Sequence, residues 1–149
     1  RKIIIGLIKI LNGDLKCLEL GNIYAKRDWG YAKEYVEAMW LMLQQKNPED
    51  FVISTGHTYS IKDFINKAVK FLKLKTKWVG KGLNERLIDI NSKKIIIKIN
   101  SKFFRPSEVN ILRGNQSKAE RKLKWKAKTN LEGLIRIMIE DEIKFYNNS

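Results

Sequence analysis

Two blocks far apart in this chain, Lys26-Arg27-Asp28-Trp29-Gly30-Tyr31 running on to Trp40 and Phe103-Phe104-Arg105-Pro106-Ser107-Glu108-Val109, each set an arginine at the mouth of a predicted helix. A guanidinium presents five donors in a planar fork that matches phosphate oxygens, and a helix start adds unpaired N–H groups and partial positive charge. A fold that brings both blocks to one place would clamp a diphosphate. That requirement constrains the chain strongly, because a core must join segments from its two halves.

The remaining pattern predicts such a core. Ile4, Leu7, Ile8 and Leu11 follow helical spacing and Asn12-Gly13-Asp14 stops them. Cys17-Leu18-Glu19-Leu20 reads as a short strand ending at Gly21-Asn22, where a bare α-carbon lets the backbone approach a flat ligand. Asp28 reads as the N-cap of a helix through Gln45 with Tyr35, Val36, Met39, Trp40 and Leu43 on its inner face. Pro48 ends it, and Phe51-Val52-Ile53-Ser54 reads as a brief buried strand before the Thr55-Gly56 turn. Ser60 with Asp63 forms a capping-box pattern opening a helix that carries Ile61, Phe64, Ile65, Ala68 and Leu72 on one side. Lys77 to Asn100 alternates β-favouring runs with Gly and Asn turns, a hairpin-like excursion. Helices resume from Arg105: Pro106 suits a first turn, and Ser117 with Glu120 and Thr129 with Glu132 give two more capping-box patterns. The last helix points Leu131, Leu134, Ile135, Met138 and Ile139 inward. The expected class is α/β, helix-rich with small sheets.

A formal net charge of +14 on 149 residues raises nucleic acid or an anionic membrane as a partner, but the lysines are spread along the chain and gather in no stripe. One cysteine, Cys17, allows no internal disulfide and no metal cluster, so no metal is expected and a reducing, cytoplasmic setting fits. No apolar run reaches membrane-spanning length. Trp29, Trp40 and Trp125 read as packing residues, and His57, the only histidine, as a turn residue beside Gly56.

The ordered wording of these segments resembles the carboxy-terminal, substrate-binding portion of the GDP-mannose 4,6-dehydratase family, within the extended short-chain dehydrogenase/reductase superfamily. The likeness takes in Arg1-Lys2-Ile3, Leu20-Gly21-Asn22, Arg27 to Gln45, Glu49 to Ile53, Gly80-Lys81-Gly82-Leu83, the Arg105 block, and Ser117-Lys118-Ala119 with Leu123 to Lys126. Tyr24 and Tyr31 depart from it, standing where a smaller polar residue and a histidine are expected. The resemblance implies that residues 1–149 are a nucleotide-sugar substrate-binding domain whose amino-terminal NADP-binding domain, with most of the Rossmann core, lies outside this sequence. It implies GDP-mannose as ligand, Arg27 and Arg105 on the diphosphate, Glu108 accepting from the ribose one helical turn beyond Arg105, Gly21-Asn22 at the base, and Lys2 joining them.

The implied reaction is an internal redox cycle: hydride leaves C4 of the mannosyl unit for NADP, water is eliminated across C5 and C6, and hydride returns to C6, giving GDP-4-dehydro-6-deoxymannose. That chemistry asks for a Tyr base with a nearby Lys, a Thr or Ser, and a Glu. This chain has no Tyr-x-x-x-Lys and no glycine-rich dinucleotide turn, so no catalytic residue is expected in it and it is expected to be inactive by itself. A dimer or tetramer is expected of the full-length protein. Two other readings stand beside this one: the substrate domain of an enzyme acting on UDP or dTDP sugars, and, from another class, a basic nucleic-acid-binding module.

Overall fold

The computed structural model describes residues 1–105 and 107–148. Helix α1, Lys2–Leu11, buries Ile4, Leu7 and Ile8 and stops at Asn12-Gly13, where Gly13 takes a left-handed φ of 86°. Strand β1, Leu18–Leu20, runs parallel to β6, Ile95–Ile99, with Leu18 opposite Ile97 and Leu20 opposite Ile99. Strands β4, Thr76–Val79, and β5, Arg86–Asp89, complete an antiparallel meander, and the sheet order is β1-β6-β5-β4. The stretch from Lys77 to Asn100 is therefore no excursion. It supplies most of the main sheet, because Leu87, Ile96 and Ile97 are apolar enough to be buried in the core.

Against this sheet pack α1, α3 (Ile61–Phe71) and α5 (Leu131–Asn147), giving one core that holds Leu7, Ile65, Ile97, Ile135 and Ile139 essentially free of solvent. Helix α3 begins as its local pattern dictates: Ser60 Oγ accepts from Asp63 N, while an Asp63 carboxylate oxygen accepts from Ser60 N at 2.9 Å. The other two capping patterns are not used. Helix α4 spans Ser117–Leu123 after Gln116, with Ser117 itself bonded to Asn115, and α5 is capped by Asn130, whose Oδ1 accepts from Gly133 N. Thr129 instead donates through Oγ1 to Glu34 at 2.7 Å, stitching the start of α5 to helix α2.

Helix α2 spans Ala32–Leu43, and Asp28 does not cap it. The Asp28 carboxylate accepts from Thr55 N, Thr55 Oγ1 and Gly56 N, fixing the turn that follows residues 51–54, which belong to no strand. The inner face of α2 is also not the expected one. It buries Ala38, with Tyr35, Leu41 and Met42 partly covered, against α4 and Trp125 in a second, smaller core. Val36, Met39, Trp40 and Leu43 face outward, Trp40 at 59% exposure, so Trp40 is not a packing residue here. The apolar residues of α2 spread over more than half of its circumference, with Lys33, Glu34 and Glu37 on the remainder, and periodicity could not choose between the two apolar sides.

Trp125 does pack as expected. It follows Lys124, whose left-handed φ of 54° turns the chain back at the end of α4, and it is 3% exposed. Its indole N–H donates to Glu34 O at 3.0 Å, and Tyr35 meets it edge to face at 5.8 Å. Trp29 lies against Phe64 at 5.2 Å in the main core, and His57 occupies the expected turn. Among the described residues no helix is long and apolar enough to cross a membrane, and no group of three or more His, Cys, Asp or Glu could hold a metal ion.

Candidate functional site

The site forms where β1 and β6 end side by side. Asn100 N donates to Leu20 O at 2.8 Å, and the Asn100 side chain caps a 3-10 turn, Ser101–Phe103, laid across the end of β1. Gly21 is required at that crossing. A β-carbon there would stand 2.3 Å from Phe103 O, so the close approach expected for a ligand is taken on that side by the chain's own backbone.

Lys2, at the start of α1, reaches the same turn, donating to Glu19 O at 3.2 Å with its ammonium 4.4 Å from the centre of the Phe103 ring. Asn22 closes a turn by accepting from Tyr24 N at 2.9 Å. A slot of about 180 Å³ opens beside it, walled by Asn22, Tyr24, Leu83, Ile99 and Phe104. Phe104 is extended, and Arg105 follows it at the surface.

Neither arginine stands at a helix mouth. Lys26–Arg27 form strand β2, paired antiparallel with β3 (Tyr59–Ser60), and four residues separate Arg27 from α2. Among the described residues Arg105, Ser107 and Glu108 belong to no helix, and the expected first-turn Pro106 lies outside them. Helix dipoles therefore add nothing at either guanidinium. What replaces them is a strand-like pairing: Lys26 N donates to Asn110 O at 2.7 Å, Leu112 N donates to Lys26 O at 3.1 Å, and Lys26 bridges Ile111 in parallel.

Arg27 completes that pairing. Its guanidinium donates to Lys26 O at 2.8 Å and Val109 O at 2.7 Å, and meets the Glu108 carboxylate at 2.9 Å with both side chains largely covered. Among the described residues Arg105 has no hydrogen-bond or ion-pair partner, so its guanidinium is free to take a ligand. The fold thus places four of the expected residues, Asn22, Arg27, Arg105 and Glu108, on two adjoining segments, 19–27 and 100–112, and brings Lys2 to the Ser101–Phe103 turn from α1. It places Phe104 on the slot, Arg105 next to it, and Glu108 on Arg27.

Sequence reasoning missed the polar cluster behind the slot. Glu85, 3% exposed, accepts from Tyr24 Oη and pairs with Lys62 Nζ at 2.6 Å. Burial pushes the Glu85 carboxyl up, but the bonds from Lys62 and Tyr24 outweigh it and hold the group below its ordinary range. The hydrogen bond to Glu85, ahead of burial, raises the Tyr24 phenol. Only the departure at Tyr24 signalled this cluster in the sequence.

The sequence model of the family described as "GDP-mannose 4,6 dehydratase" matches residues 1–138. The GDP-mannose 4,6 dehydratase of Dictyostelium discoideum is 45% identical over 148 residues, covering 99% of this chain and 42% of the relative. That of Homo sapiens is 43% identical over 144 residues, covering 97% and 39%. The chain spans about two fifths of the length of the curated relatives it matches. Among solved structures, RMD from Pseudomonas aeruginosa complexed with NADPH superposes with a TM-score of 0.73 at 14% identity, over 96% of this chain and 41% of that one. UDP-glucose 4-epimerase from Bifidobacterium longum in complex with NAD+ and UDP superposes with a TM-score of 0.71 at 17% identity, over 99% and 39%. At such identities the likeness is one of fold. It agrees with the helix-rich α/β architecture with small sheets read from the sequence.

Proposed function

The chain belongs to the GDP-mannose 4,6-dehydratase family, and from that membership we propose that it is the substrate-binding part of an enzyme converting GDP-mannose to GDP-4-dehydro-6-deoxymannose, a lyase reaction run through an internal redox cycle. The observation that carries this is the Arg27 grip on Glu108 and Val109, which fastens the stretch just after Arg105 to β2. Arg105, exposed and without a partner among the described residues, takes the diphosphate. Arg27 holds the same loop and shares the anion when it arrives, releasing the Glu108 carboxylate toward the ribose. Lys2 adds positive charge behind Phe103, and Asn22 lies at the base.

NADP supplies hydride transfer to the assembled enzyme. The residues of this chain do not fit a dinucleotide: the sequence has no glycine-rich strand-to-helix turn, and β1 leads into the Asn22–Tyr24 turn and then β2, with no helix following it. The cofactor therefore belongs to another part of the protein. This part binds the nucleotide and orients the sugar, so its binding energy serves the chemistry by positioning.

Thermal melting in the presence of GDP, UDP or dTDP tests the reading. GDP is expected to raise Tm most, by the mass-action stabilisation that any native-state ligand gives. Equal shifts from all three favour a substrate domain for other nucleotide sugars, and no shift from any of them removes the nucleotide role. Given GDP-mannose and NADP, the chain by itself is expected to release no dehydrated product detectable by mass spectrometry.

A further inference from the structure

We propose that Tyr24 is a specificity-determining wall of the nucleobase slot, held in place by Glu85 and Lys62 as positioning residues; this rests on the nucleotide-binding reading above and deepens it. The slot is narrow and mainly apolar, and Phe104, one of its walls, immediately precedes Arg105. A flat aromatic group attached to a diphosphate on Arg105 therefore has this slot within reach. Tyr24 and Phe104 offer rings, and Leu83 offers an aliphatic face, the surfaces on which a base stacks.

Tyr24 is 57% exposed, and a surface ring so open needs an anchor to present a defined face. Glu85 supplies it. One buried carboxylate receives the Tyr24 hydroxyl on one oxygen and the Lys62 ammonium on the other. The same residue directly follows the 3-10 turn Gly82–Asn84, so it ties Tyr24 to the turn that carries Leu83. That turn is itself fixed: Gly80 has a φ of 78°, with Asn84 O only 2.3 Å from where a β-carbon would stand, and Glu85 N donates to Gly82 O.

Lys62 is held as firmly. Its backbone N–H donates to Ile23 O at 2.8 Å, and its ammonium lies 5.3 Å from the Tyr24 ring centre and 4.9 Å from that of Trp78. Trp78 is in turn anchored on Asn66 at 2.8 Å. Two walls of the slot thus share one support that lies off the path of the phosphates. The network should act on the base and leave the diphosphate alone.

Calorimetric titration of the protein with GDP and, separately, with inorganic pyrophosphate separates these parts. Tyr24→Ala is expected to weaken GDP roughly tenfold, in the range of aromatic stacking on a base, and to leave pyrophosphate affinity unchanged. Tyr24→Phe, which keeps the ring, and Glu85→Gln, which keeps an acceptor, should lose less GDP affinity than Tyr24→Ala, again with pyrophosphate unaffected. Wild-type GDP affinity in Tyr24→Ala overturns the proposal and leaves the clamp standing, as does an equal loss of both ligands. Failure of the wild-type protein to bind either ligand overturns the nucleotide reading itself.

Discussion

Trp125→Ala should cost the protein about 3–5 kcal/mol, the range for removing a buried aromatic ring from a core. The loss is large because one side chain serves three purposes. The indole fills the small core between Ala38, Ala119 and Leu123, its N–H satisfies Glu34 O, and its ring is the partner of Tyr35. Removing it leaves a cavity and a carbonyl without its donor. Glu34 also holds Lys128 N and Thr129 N, so the loss reaches the start of α5. Urea unfolding followed by circular dichroism should show the midpoint drop. A change below about 1 kcal/mol, the size of an ordinary surface substitution, would mean that this core does not support the fold.

Arg27→Ala should weaken GDP roughly ten- to a hundredfold, as expected for losing about 1.5–3 kcal/mol of hydrogen bonding to a charged group. It should also lower stability by about 1–2 kcal/mol, between the values for exposed and buried ion pairs, because its partner Glu108 is left covered and unpaired. Both effects follow from one geometry. Arg27 bonds Lys26 O, Val109 O and Glu108, so its removal loosens residues 108–112 and with them the placement of Arg105. Arg27→Lys keeps the charge but not the fork, and should recover only part of either loss. Calorimetry with GDP and chemical unfolding read the two effects separately.

What could be read directly from the sequence was local. The Ser60–Asp63 box lies within one turn and forms as written, and the inward stripes of α1, α3 and α5 follow from spacing, except that Leu11 at the end of α1 is exposed. What could not be read depended on distant partners. Asp28 carries a capping side chain, but the Thr55-Gly56 turn offers it three donors and takes it. Thr129 has Glu132 at the right distance, yet Glu34 is the acceptor it meets. The helix expected to open at Asp28 starts later, at Ala32, and Lys26–Arg27 ahead of it take backbone partners in β3 and at Asn110–Leu112. The order of residues was therefore a better guide to which segments adjoin than to the secondary structure that carries them.

A double-mutant cycle of Arg27→Ala and Arg105→Ala on GDP affinity addresses the convergence of the two arginines most directly. If both act on one diphosphate, the effects should be non-additive, with an interaction energy of at least about 0.5 kcal/mol by calorimetry. Additive losses, or GDP affinity untouched by either change, would contradict a shared clamp.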